Sequence, residues 1–131
     1  MERFVHNPWT WQDPLGFVQA VVVSAPARVL ECSGQVSFDS AGRTLHPRDM
    51  ARQMSEALDN LEAVLQMADM TLQNVVKLTT FVTDMEAFLE CRSVLSDRME
   101  AAEVRHTHTL VGVSALARPD VVIEFDVVAY A

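Results

Sequence analysis

Large apolar residues stand side by side in Val21-Val22-Val23, Val75-Val76, Phe81-Val82 and Val121-Val122-Ile123. Each run lies in a segment rich in β-branched residues, which reads as a strand. A strand sends successive side chains to opposite faces, so adjacent apolar residues call for burial on both faces of a sheet. Helical periodicity is found in only two places. After Pro47, Met50, Met54, Ala57, Leu58, Leu61, Val64, Leu65 and Ala68 line one face of a helix of about six turns, opposite Arg52, Glu56, Asp59, Glu62 and Gln66. A capping box at Thr83 and Glu86 predicts a second helix start, continued by Phe88, Leu89, Val94, Leu95, Met99 and Ala102 to about Glu103.

Strands are expected at Phe17–Val23, Arg28–Phe38, Val75–Thr83, His106–Val113 and Val121–Ala129, with turns at Ser24-Ala25-Pro26-Ala27 and Ala117-Arg118-Pro119-Asp120. The order β-β-α-β-α-β-β predicts an α+β fold, one sheet with both helices packed on one face. Two helices cannot cover two faces. Leaving the second face wet forfeits on the order of 10 kcal/mol at roughly 25 cal/mol per Å², as much as a whole domain's stability. Other copies of the chain are therefore expected to cover it, which makes a homo-oligomer with ligand clefts between subunits.

The 131 residues allow one domain, spanning 1–131. Ten basic against eighteen acidic residues leave a net charge of −8, and the basic ones are scattered, so nucleic acid is not an expected partner. No run approaches the roughly 20 apolar residues that span a bilayer and the first residues carry no signal core, so a cytoplasmic protein without a membrane partner is expected. Cys32 and Cys91 form no CxxC pair, which favours buried thiols over a disulfide or zinc site.

Alternation puts His106, His108, Leu110 and Gly112 on one face of their strand, and Glu124 and Asp126 together on the last strand. If these strands pair, the turn at Pro119 brings Glu124 near His108 as a proton-transfer couple. Glu124 is the most conspicuous polar residue of a Val-rich strand, because a carboxylate buried without a partner costs several kcal/mol. Arg105 and His106 follow the second helix, where cations complement the dipole. Arg92 lies between Glu90 and Asp97 on a face that reads as solvated. An HxH pair without a third spaced ligand predicts no metal. Lys77, the only lysine, is expected to snorkel to the sheet edge, and Trp9 and Trp11 to pack at a subunit edge or roof a cleft.

Four stretches taken together resemble the RidA/YjgF family, from about Phe17 to Ala129: Cys32-Ser33-Gly34-Gln35; Met54 through Asn60-Leu61-Glu62-Ala63-Val64-Leu65; Val75-Val76-Lys77 through Phe81-Val82-Thr83-Asp84-Met85; and Ile123-Glu124-Phe125-Asp126-Val127-Val128-Ala129. The resemblance implies a chorismate-mutase-like fold and a homotrimer with clefts between subunits. In the best-known members it also implies hydrolysis of reactive enamines and imines to ketones and ammonia. That chemistry needs no cofactor. It implies a cleft carboxylate at Glu124 that positions water. The Arg that clamps substrate carboxylates in deaminase members falls on His108 here, their cleft Asn on Arg92, and their aromatic hydroxyl on Phe17. Arg105 or Arg92 is left to grip a carboxylate, and Ser33 and Gly34 to let a ligand or another backbone approach. The competing expectation is a trimer of the same family that binds a small metabolite without turning it over. The ribonuclease activity described for some members sits badly with a charge of −8.

Overall fold

The computed structural model describes residues 1–131. Strands β1 (Glu2–His6), β2 (Ala20–Ser24) and β3 (Val29–Glu31) precede helix α1 (Met50–Met67); β4 (Val75–Val82) leads to helices α2 (Met85–Cys91) and α3 (Ser93–Ala101); β5 (Thr107–Gly112) and β6 (Ile123–Tyr130) close the chain. The main sheet runs in the order β3-β6-β4-β5. Its β4–β5 pair is parallel, because α2 and α3 cross between them, and the other pairs are antiparallel.

Helix α1 forms where its apolar periodicity requires it. Asp49 caps it by accepting the Arg52 N–H, and Met54, Ala57, Leu58, Leu61 and Leu65 are wholly buried. They pack on the face of β6 that carries Ile123, Phe125, Val127 and Ala129. Between those residues Glu124, Asp126, Val128 and Tyr130 point to the other, half-buried face. Gln53 is buried within this layer, donating to the His46 and Asp120 carbonyls and accepting the Val122 N–H, which fixes the turn before β6.

The α+β class stands, with several departures. β1 is an additional strand. It pairs with β2 in a separate two-stranded ribbon, tied to the main sheet by the Arg3 guanidinium, which donates to the Gln73, Asn74 and Tyr130 carbonyls. The segment expected as a strand over Arg28–Phe38 contracts to Val29–Glu31, and the chain rejoins the sheet only where Gln35 bridges Phe125. The second helix starts on an Asp84 cap, whose carboxylate accepts the Ala87 N–H, rather than on Thr83. It then breaks at Arg92 into α2 and α3. The Cys91 thiol and the Ser96 hydroxyl bond the carbonyls four residues back, which competes with the helical ladder on either side of the break.

The paired apolar residues are also resolved in part within one chain. A β-bulge between Val75 and Lys77 interrupts the alternation, and both Val75 and Val76 are buried within one chain, so that pair needs no further cover. In two other runs one neighbour is buried and the other is not: Val82 with half-buried Phe81, and Val121 and Ile123 with half-buried Val122; on β2 Val22 is half exposed between half-buried Val21 and Val23. The open face of the sheet is mixed, with Phe81, Val111, Val128 and Tyr130 among Thr79, Glu124, Asp126 and a solvent-exposed Lys77.

Candidate functional site

Edge strand β5 and the α2–α3 pair enclose a cavity of about 270 Å³, closed on a third side by the loop Leu15–Phe17. Parallel register sets His108 beside Leu78 and Leu110 beside Thr80, so His106, His108 and Leu110 share the helix-covered face and form the floor. Phe88, Leu89, Leu95 and Met99 supply apolar walls from the two helices. The Val18 N–H donates to the His106 carbonyl at 2.9 Å, which holds the N-terminal loop against β5. Phe17 is thereby placed edge-on to the His108 ring at 6.2 Å, and Trp11, itself 61% exposed, stands edge-on to Phe17 at 5.9 Å.

His108 Nε2 and the Thr80 hydroxyl share a 2.8 Å hydrogen bond, and Thr80 is completely buried. This leaves Nδ1 as the ring nitrogen free for a ligand. The His106 ring lies 6.1 Å from that of His108. Burial pushes His108 down to about 4, helped by its neighbour His106. Burial likewise pushes His106 down to about 4, which the Val104 carbonyl offsets only in part. Both imidazoles are therefore neutral near pH 7. His106 is 3% exposed and its Nδ1 has no hydrogen-bond partner. No third metal-ligating side chain joins the two histidines.

Glu124 stands elsewhere. β4 separates β5 from β6, and Glu124 lies beside Phe81 on the open face of the sheet. The expected couple with His108 is not formed within one chain: the two strands are not neighbours, and the two side chains leave opposite faces. The Glu124 carboxyl instead covers Gly34 so closely that a side chain there would collide with it. Burial, then the nearby Asp126 carboxylate, raises its proton affinity. Phe17, Arg92 and His108 thus meet at one cavity, while Gly34 and Glu124 meet on the other side of the sheet, with exposed Ser33 adjacent to Gly34 in the chain.

Arg105 lines neither place; it is exposed beside a separate depression with Asp13, Asp97, Glu100 and Glu103. Its neighbour His106 does not cap α3, which ends at Ala101, but turns inward to the cavity. Reading Arg105 and His106 as one cationic helix end missed this. The alternation that pairs His106 with His108 on one face was the signal that could have found it. Arg92 is also not a surface decoration: helical spacing puts it on the same face as Phe88, Leu95 and Met99, and that face lines the cavity.

The endoribonuclease L-PSP family model matches residues 12–131. A RutC family protein of Pyrococcus horikoshii is 30% identical over 98 residues, 75% of each chain. A 2-iminobutanoate/2-iminopropanoate deaminase of Rattus norvegicus is 35% identical over 72 residues, 55% of this chain and 50% of that one. The crystal structure of the Rid family protein YyfB from Yersinia pestis superposes with a TM-score of 0.85 at 32% identity, covering both chains completely.

Proposed function

We propose that this chain, which belongs to the RidA/YjgF family, hydrolyses a small enamine or imine in a cleft between neighbouring copies. The observation that carries the reading is His108: a neutral imidazole on the cavity floor, held through Nε2 by a buried threonine and open at Nδ1. In hydrolysis, water adds to the C=N carbon while its proton passes to a base. The resulting carbinolamine then expels its protonated nitrogen as ammonia and leaves a ketone, with no redox change. His108 Nδ1 is assigned the proton transfers. Glu124 is assigned the orientation of water, and its place on the open face makes it available to a neighbour rather than to its own His108.

A homotrimer is the assembly this reading requires. It covers the Phe81, Val128 and Tyr130 face and brings a carboxylate beside a foreign His108. That carboxylate also answers a chemical objection: an imidazole pushed down to about 4 is a weak base at pH 7, and an opposite charge within a few ångströms moves it back toward neutrality. The rat relative's activity on 2-imino acids supports the reaction class. The test generates 2-iminopropanoate and a panel of bulkier imines in situ and follows ketone and ammonia release. Acceleration is expected for at least one imine. His108→Ala is expected to lower kcat by roughly 10²-fold or more with a smaller change in KM. No acceleration of any imine defeats the catalytic claim.

The low basicity of both histidines favours one further reading, a trimer that binds a small metabolite without turnover. Ligand-dependent rises in Tm with no product formed select it.

A further inference from the structure

We propose that Arg92 is the anion anchor of this cavity, and that the ligand is a mono-carboxylate with a branched aliphatic body rather than a three-carbon acid. The inference deepens the reading above, resting on the same cavity as the ligand site, and it follows from charge, geometry and size.

Eighteen acidic residues give the chain a charge of −8, yet none of them lines this cavity. The only ionised side chain that this chain itself places in the wall is Arg92. Most other arginines are engaged: Arg3 and Arg28 with backbone carbonyls, Arg43, Arg52 and Arg98 with carboxylates, and Arg118 over the Phe38 ring. Arg92 makes no side-chain hydrogen bond and no ion pair, although Glu90 and Asp97 are close to it in sequence. A half-buried guanidinium without a partner, facing a largely apolar cavity, is a site for a planar anion that can take two of its N–H groups. The floor cannot serve instead. His108 offers a single free nitrogen, Nε2 being committed to Thr80, and a lone neutral imidazole makes at most one hydrogen bond to a carboxylate.

Size sets the rest of the ligand. At about 30 Å³ per water-sized group, the cavity of about 270 Å³ holds roughly nine non-hydrogen atoms, more than 2-iminopropanoate occupies. Between Arg92 on the helix side and His108 on the strand, the space is bounded by Phe17, Phe88, Leu95 and Met99. A small acid gripped by Arg92 would leave these surfaces wet, whereas an isobutyl body fills them.

The assignment is tested by calorimetry on the intact oligomer, with 4-methyl-2-oxopentanoate, its uncharged amide and pyruvate as stable probes. The branched acid is expected to bind at least roughly tenfold more tightly than the amide and than pyruvate. Arg92→Gln is expected to bring the acid down to the amide's level while leaving the amide unchanged, and Arg92→Lys to lie between. The amide controls for a distorted cavity, since mere structural damage weakens all probes together. Equal binding of acid and amide by the natural protein, equal loss of both in Arg92→Gln, a preference for pyruvate, or no binding at all overturns the proposal. The probes are ketones and need no turnover. A protein that hydrolyses no imine but shows this pattern loses the catalytic reading and keeps Arg92 as anchor; hydrolysis of uncharged imines without the carboxylate preference does the reverse.

Discussion

His106 shows how far one side chain's environment departs from its sequence neighbourhood. It follows the end of a helix and precedes a strand, yet it is 3% exposed, with an unpartnered Nδ1 and its titration pushed down to about 4. The sign of the consequence is fixed. Between about pH 6.5 and pH 4 an unfolded histidine binds a proton and this one does not, so stability rises with pH through that window and is lost on acidification. The slope is about 1.4 kcal/mol per pH unit for one such group. Glu124, whose proton affinity is raised, works in the opposite sense at its own titration. Urea melts at intervals from pH 7 to pH 4 are expected to show a falling midpoint, and His106→Phe to flatten the fall. An unchanged profile in that variant removes His106 as its source.

The α2–α3 pair carries most of what the cavity presents to a ligand. Its first turn is held by the Asp84 carboxylate on the Ala87 N–H, and Arg92 shares the helical face of Phe88 and Leu95 that lines the cavity. Asp84→Ala removes the cap at a cost of about 1 kcal/mol, which corresponds to roughly 2–6 °C in Tm for a domain of this size. The same variant is expected to weaken ligand binding, because Phe88, Leu89 and Arg92 all depend on this helix. A lowered Tm with intact affinity shows that the cavity wall is held by α3 alone. The sequence pattern located the helix but placed its start one residue early and ran it unbroken. Apolar spacing is nearly continuous across Arg92, and hydrogen bonds from Cys91 and Ser96 back to carbonyls leave no mark in hydrophobic periodicity.

At the scale of the whole molecule, the sheet separates the two candidate polar groups. His108 lies on the helix-covered face and Glu124 on the other, with β4 between their strands. Catalysis using both requires neighbouring subunits, which makes complementation a direct measurement. Trimers assembled from equal amounts of His108→Ala and Glu124→Gln chains, each inactive alone, are expected to recover activity in about one cleft in four, where an intact His108 meets an intact Glu124. No recovery after confirmed subunit exchange removes at least one of the two groups from the chemistry. The proposed assembly is also expected to cover the residues that the fold of one chain leaves half-buried on the open face.

The amino-acid order determined the elements and their class. Period-two and period-3.6 spacings reflect local geometry, and the residues of α1, β4 and β6 obey them closely enough to read their burial directly. It also determined the family, since Cys32 to Gln35, the α1 core and the closing strand occur in one order over nearly the whole chain. Only the tertiary structure decided which strands are neighbours, because loop sequences do not encode the insertion of β4 between β5 and β6. That one fact parts His108 from Glu124, while the packing of α2 and α3 over β5 makes a cavity wall of the helical face that carries Arg92. The bulge beside the two buried residues Val75 and Val76 is likewise a property of the paired sheet, where one residue without a partner across the ladder interrupts the alternation of faces.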